Sequence, residues 1–219
     1  MSLTRADLEA RRFQKHILEA GLDFHVLSDA ELQTSIQSTL KHQTPGSDVH
    51  LFAYGSLIWN PIFKFDERFV GKVYGFHRRF CLWTPLGRGT PDNPGLVLGL
   101  DHGGSCRGVV YRIAGADVAS ELLLLWRREM IIGSYIPRWV KVMHDDREVN
   151  AIAFVINRSH HHYAGNISHD VMVQHIATAH GLIGSCSDYL LQTVDGLASS
   201  GICDRQLLHL KRQVLAKQK

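Results

Sequence analysis

The sequence predicts an α+β fold in which short strands form a mixed or antiparallel sheet, closed as a compact β-barrel and flanked by helices. Three observations carry this reading. Strand-like runs follow one another from about residue 49 to 156, broken by a single leucine-rich helix. Helical periodicity is confined to the two ends of the chain. The breaker cluster Thr44-Pro45-Gly46-Ser47-Asp48 separates a helical N-terminal extension, residues 1–48, from a main body, residues 49–219.

In the extension, Leu3, Leu8, Phe13, Ile17 and Leu18 recur at roughly helical spacing, and Gly21 ends that stretch. Ser28-Asp29-Ala30-Glu31 is a capping box that starts a second helix running toward Leu40 and Lys41. The body opens with the strand-like run Val49 to Tyr54, ended by Gly55-Ser56. Further strands are expected at Val70 to Phe76, Leu96 to Leu100 and Arg107 to Ile113. Asp117 opens a helix that ends near Glu129. Trp139 to Met143 and Val149 to Ile156 flank the polar stretch His144 to Glu148, which is a hairpin signal. Ser168, Ser187 and Asp204 are the expected N-caps of three C-terminal helices.

A chain of 219 residues fits one decorated domain and can bury a core without disulfide staples. Its 24 Lys+Arg stand against 21 Asp+Glu, too balanced for the dense basic patch of a nucleic-acid binder. Lys211-Arg212 in the last helix reads as a solvated face. Cys81, Cys106, Cys186 and Cys203 form no Cys-x-x-Cys pair, and the opening residues carry no signal-like apolar run. Free thiols in a reducing cytosol are therefore expected. The longest apolar cluster, Leu122 to Trp126, is closed by Arg127, Arg128 and Glu129, far short of the roughly 18 apolar residues of a membrane span. Neither nucleic acid nor membrane is expected as a partner.

Two segments could carry chemistry. Tyr54-Gly55-Ser56-Leu57 follows a strand, and successive N–H groups in such a turn make a concave anion or oxyanion site. A plain strand-ending turn is the bland alternative. Glu129 follows a helix amid apolar side chains, which disfavours its charged form and raises its pKa. That suits a group that both accepts and releases a proton. The competing reading pairs Glu129 with Arg127, Arg128 or Arg138 as a structural ion pair.

Arginine forks suit carboxylates, and Arg78, Arg79 and Arg88 are the candidates, Arg88 favoured by its Gly/Pro-rich loop. His160-His161-His162 resembles a metal cluster, but adjacent loop residues rarely converge on one ion. His175 and His180 are five apart, off one helix face. Structural or solvent-facing histidines are the better reading, and no metal or other cofactor is expected. The sequence has no Gly-x-Ser-x-Gly, and Gly103-Gly104-Ser105-Cys106-Arg107-Gly108 lacks the P-loop ending.

Six segments in this order resemble the ChaC branch of the γ-glutamylcyclotransferases: 54–61, Gly75-Phe76-His77-Arg78-Arg79-Phe80, Arg88 to Pro91 with Pro94-Gly95, Gly108-Val109-Val110-Tyr111, Arg128-Glu129, and Ser187-Asp188-Tyr189-Leu190. The stretch from Glu129 to Tyr135, the Phe80-Cys81 pair and Leu86-Gly87 depart from the eukaryotic pattern and look like the bacterial type. The resemblance implies a γ-glutamylcyclotransferase-type barrel and cleavage of glutathione to 5-oxoproline and cysteinylglycine. It maps the catalytic glutamate onto Glu129 and the substrate loop onto Tyr54, Gly55, Ser56 and Leu57, with Tyr189 closing the pocket. The same chemistry on another γ-glutamyl amine or dipeptide, or a non-catalytic role in regulating cation transport, are the alternatives. The γ-glutamyl group carries its own nucleophile, so the reaction requires no metal, nucleotide or covalent enzyme intermediate.

Overall fold

The computed structural model describes residues 3–21 and 25–219. Residues 1–2 and 22–24, through which the N-terminal helical reading also runs, lie outside the described residues. Five strands form a closed barrel: β1 (Val49–Ala53), β2 (Glu67–Thr84), β3 (Gly95–Ile113), β4 (Tyr135–His144) and β5 (Arg147–Ile156). Their order is β1-β3-β2-β4-β5. All neighbouring pairs in that order are antiparallel, and the barrel closes through a parallel β1–β5 contact at Leu51 and Ile152. The sheet is therefore mixed, and closure removes the exposed edges an open sheet would present.

Two strands run well past their expected limits. β3 joins the segments read separately as Leu96–Leu100 and Arg107–Ile113. Gly103 and Gly104 between them take φ of 100° and 69°, which only glycine adopts freely, and the ladder with β2 continues across them. β2 likewise continues beyond Phe76 to Thr84, because a register shift at Gly75 (φ 81°) absorbs the irregularity. Period-2 alternation breaks at a bulge, so a pattern reading stops there.

The helix α4 (Val118–Glu129) crosses between β3 and β4 and buries Leu122, Leu125 and Trp126 completely. Its last residue is Glu129. Three helices follow the barrel: α5 (His169–Thr178), α6 (Cys186–Ser199) and α7 (Arg205–Lys217). Ser168 and Asp204 cap α5 and α7 as expected. The cap of α6 is Ser185, whose hydroxyl accepts from Asp188 N, and Ser187 lies inside the first turn instead. Either serine satisfies the spacing rule; the short hairpin His180–Gly181/Gly184–Ser185 decides between them by delivering the chain to Ser185.

The N-terminal segment forms α1 (Arg5–Glu9), α2 (Arg12–Glu19) and α3 (Asp29–Leu40). The expected first helix is thus two, split where Arg11 adopts φ 53°. The Ser28/Glu31 capping box of α3 is present. Leu8 and Leu32 join the same hydrophobic core as the barrel. Among the described residues no helix is long and apolar enough to cross a membrane.

Gly108 lies in β3 next to Val109, the partner of Ala53 in β1. A Cβ there would lie 2.6 Å from Phe52 Cζ and collide with the Ala53 carbonyl. Gly108→Ala is expected to lower stability by about 1–3 kcal/mol, the usual cost of overpacking. Urea unfolding measures this, and a change within about 0.5 kcal/mol would show the strands able to spread.

Candidate active site

β1 ends at the barrel mouth, and the chain turns through Tyr54-Gly55 into a 3₁₀ helix, Ser56–Ile58. The N–H groups at the start of such a turn have no intrahelical partner. Gly55 is closely packed: a Cβ would lie 3.2 Å from the Tyr189 hydroxyl, which would have to give way by a few tenths of an ångström. α4 brings Glu129 to the same place. Arg128 joins the two. Its Nη2 donates to Ser56 Oγ at 2.9 Å, its Nη1 to Asn60 O at 2.8 Å, and its Nε lies 3.1 Å from Glu129 Oε1.

The ion pair weighed for Glu129 therefore exists, and cavity space lies beside it. The Glu129 side chain is 14% exposed. Burial pushes its pKa up, and the charge of Arg128 only partly opposes this. Tyr54, Tyr135 and Tyr189 surround it, and burial raises all three, so each keeps its proton at neutral pH. Tyr54 donates to Phe154 O at 2.7 Å and Tyr135 to Leu98 O at 2.8 Å. Tyr189 accepts from Leu98 N at 3.3 Å and so retains a proton to donate to a ligand.

Two cavities meet here. An inner one of about 20 Å³ is walled by Tyr54, Gly55, Leu57 and Leu98, with room for about one water-sized group. An outer one of about 170 Å³ reaches Trp83 and Arg88. Ser56, Glu129, Tyr135 and Tyr189 line both. The predicted set Tyr54, Gly55, Ser56, Leu57, Arg88, Glu129 and Tyr189 is thus gathered around one continuous space.

Arg88 is 4% exposed. Its Nη1 donates to Ser185 O at 3.3 Å, while its Nε is buried with no hydrogen-bond partner. Among the described residues no carboxylate pairs with it. Burial accordingly lowers its pKa. The loop that carries it is rigid: Leu182 N and Ile183 N donate to Leu86 O and Gly87 O at 3.0 and 2.9 Å. A desolvated guanidinium without a counter-ion is a costly arrangement that an incoming anion relieves.

Arg78 and Arg79, weighed beside Arg88 as carboxylate ligands, are already committed to the protein. Arg78 donates to Tyr54 O at 2.7 Å and to Arg107 O, and its Nε lies 2.9 Å from Asp204 Oδ2. It braces the turn from behind. Arg79 bonds Gly165 O and the fully buried Asp101. The ring nitrogens of His160, His161 and His162 come within 4.8 Å of one another. His160 nonetheless uses both of its own: Nε2 lies 2.9 Å from Ile132 O, and Nδ1 accepts from His162 N at 3.2 Å. With one nitrogen donating and the other accepting, it has no lone pair left for an ion.

Sequence reading missed Tyr135, the bracing role of Arg128, and a contribution from α2, whose Phe13 and Ile17 line the outer cavity. Tyr135 had one signal, its place just after Gly133 (φ 70°), where the chain turns back from α4 into the barrel.

A closed mixed barrel with a buried carboxylate at its mouth is the γ-glutamylcyclotransferase fold. The yeast structure described as a γ-glutamyl cyclotransferase specific to glutathione superposes with a TM-score of 0.72 at 23% identity, covering 79% of this chain and 97% of the other. The family model described as ChaC-like protein matches residues 49–217. This chain belongs to the ChaC family. It is 40% identical over 171 residues to a glutathione-specific γ-glutamylcyclotransferase of Escherichia coli, covering 78% of this chain and 74% of that one. A human protein named glutathione-specific γ-glutamylcyclotransferase 1 is 32% identical, covering 77% and 80%.

The raised pKa of Glu129 has a stability consequence. The folded state holds this proton more tightly than the unfolded chain does. Its contribution is fully present below the unfolded carboxyl value and is lost as pH rises through the folded one. Glu129→Gln is therefore expected to be more stable than the parent at pH 7, with the gap closing as pH falls through the carboxylate range. Urea melts across pH test this. A less stable variant at pH 7 would show that the Arg128 pair is a net structural bond.

Proposed function

We propose that this chain is a γ-glutamylcyclotransferase that cleaves glutathione to 5-oxoproline and cysteinylglycine, with Glu129 as its general base and acid. The observation that carries this reading is the buried carboxylate of Glu129, its pKa raised by desolvation, placed where two cavities meet beside the turn at Gly55-Ser56-Leu57. The names of the Escherichia coli and human relatives support the same substrate. In this reading the catalytic domain is residues 49–219, and residues 1–48 are a helical element packed on it. Four free cysteines fit a reducing, cytosolic setting.

The γ-glutamyl head lies at the turn. The amides of Gly55, Ser56 and Leu57 and the Tyr189 hydroxyl hold an oxygen of this group, its α-carboxylate or the developing oxyanion. Glu129 takes a proton from the α-ammonium. The freed amine attacks the γ-carbonyl carbon, forming the lactam C–N bond. Glu129 passes that proton to the amide nitrogen, the carbonyl re-forms as the amide bond to cysteine breaks, and the second proton of the attacking nitrogen follows through Glu129 to the freed amine, leaving a neutral lactam. Ring closure is intramolecular, so holding the folded-back conformer supplies much of the acceleration; well-oriented cases reach effective molarities of ~10⁵ M or more. Arg88, with no carboxylate of its own, receives a substrate carboxylate.

Purified protein incubated with glutathione is expected to release 5-oxoproline and cysteinylglycine in equal amounts, read by mass spectrometry. Glu129→Gln should keep the fold, judged by circular dichroism, and lose about 10²–10⁴-fold in rate. Full activity in that variant would end the assignment to Glu129. Turnover of γ-glutamylalanine without glutathione would keep the chemistry and change the substrate. No 5-oxoproline from any γ-glutamyl compound would favour a regulatory role. Arg88→Met should raise KM for glutathione about tenfold or more, with kcat changing less, as expected for loss of a charged hydrogen bond.

A further inference from the structure

We infer that the N-terminal helices form the leaving-group wall of the substrate cavity, with Phe13 its principal contact, so that residues ahead of the family-matched segment select among γ-glutamyl substrates. This rests on the cyclotransferase reading above.

Phe13 and Ile17 of α2, together with Leu3, line the same outer cavity as Glu129, Arg88 and Tyr189. The matched family segment begins only at residue 49. Phe13 and Ile17 are four residues apart, hence on one face of α2. That face turns inward: Ile17 is 5% exposed and Phe13 half-buried, while Arg12, Lys15, His16 and Glu19 are exposed. Yet neither Phe13 nor Ile17 belongs to the continuous hydrophobic core, which takes Leu8 from α1 and Leu32 from α3. An amphipathic helix normally buries its apolar face against a filled core. Here that face looks onto cavity space.

The wall is clamped on both sides of the catalytic carboxylate. Arg5 reaches α4 with two bonds to the buried Glu121, at 2.6 and 2.9 Å. Arg127, two positions before Glu129, bonds Asp29 at 3.1 and 2.7 Å and Leu8 O at 3.3 Å. Two positions after Glu129, Ile131 O accepts from Leu27 N at 2.9 Å. Asn60, beyond the substrate turn, donates to Leu3 O at 2.9 Å. α1 and α2 are therefore held in register with the reacting groups.

The inner cavity and turn take one oxygen of the glutamyl head, so the rest of the substrate, the departing amine included, lies in the outer cavity. Its lining sets the apolar side chains of α2 in the same cavity as the unpaired cation Arg88. That combination fits a peptide leaving group with a small apolar or thiol side chain and a terminal carboxylate. A γ-glutamyl derivative of a small amine offers neither.

The test compares glutathione with γ-glutamylmethylamide for the parent, Phe13→Ala and Phe13→Leu, with melting temperatures alongside. For Phe13→Ala the ratio of kcat/KM on glutathione to that on the methylamide is expected to fall about tenfold, mainly through KM for glutathione, the size expected for one lost aromatic contact. Phe13→Leu should recover most of it. An unchanged ratio, whether both rates fall together or neither moves, overturns the wall. If the parent releases 5-oxoproline from neither compound, the cyclotransferase reading fails by itself. The wall is then judged by calorimetric binding of glutathione to Glu129→Gln with and without Phe13→Ala. Weaker binding in the double variant supports it, and equal binding overturns it.

Discussion

One guanidinium holds this site together. Arg128 spans from the turn after β1 to the carboxylate that follows it in sequence, bonding Ser56 Oγ, Asn60 O and Glu129 within 3.1 Å. The turn comes from β1 and the carboxylate from the end of α4. Nothing covalent relates them except the chain itself, in which Ser56 and Arg128 stand 72 positions apart. The barrel brings β1 and α4 near each other, and Arg128 converts proximity into fixed geometry. Its positive charge also limits how far burial lifts the Glu129 pKa.

The remaining charges divide into those satisfied by the protein and one that is not. Arg78 is spent on Tyr54 O, Arg107 O and Asp204, which ties the cap of α7 to the back of the turn. Asp101, fully buried, is answered by Arg79, Arg158 and Tyr163. Arg88 alone among these buried groups lacks a carboxylate. A buried cation left without its partner points to a missing anion, and it lies in the cavity that Glu129 also lines. The same low dielectric that raises the Glu129 pKa lowers that of Arg88. Both effects come from burial around one pocket.

The N-terminal helices share the barrel's core through Leu8 and Leu32, yet α2 gives its apolar face to the cavity. Ion pairs to α4 and hydrogen bonds to the chain on either side of Glu129 tie the position of these helices to the helix that carries Glu129.

Much of this protein was legible in its amino-acid order. The α+β class, the mixed closed sheet, the capping box at Ser28 and the hairpin between β4 and β5 follow from local patterning, because short-range rules govern them. Tyr54 to Leu57, Glu129 and Tyr189 were nameable through the order of segments that resembles the family, since a strand-ending glycine or a carboxylate amid apolar residues is by itself equally a plain turn or a structural ion pair; Arg88 was favoured by its Gly/Pro-rich loop. Tertiary structure alone decided what those residues meet. Local rules do not show that the glycines at 103 and 104 stay within one long strand, that Ser185 rather than Ser187 caps α6, or that Arg11 splits the first helix. Nor do they show that Arg78 is consumed by backbone carbonyls while Arg88 is left without a partner, because partner choice depends on long-range packing. Residues 13 and 129 lie far apart in the chain, and the packing of the N-terminal helices on α4 makes them neighbours of the same cavity.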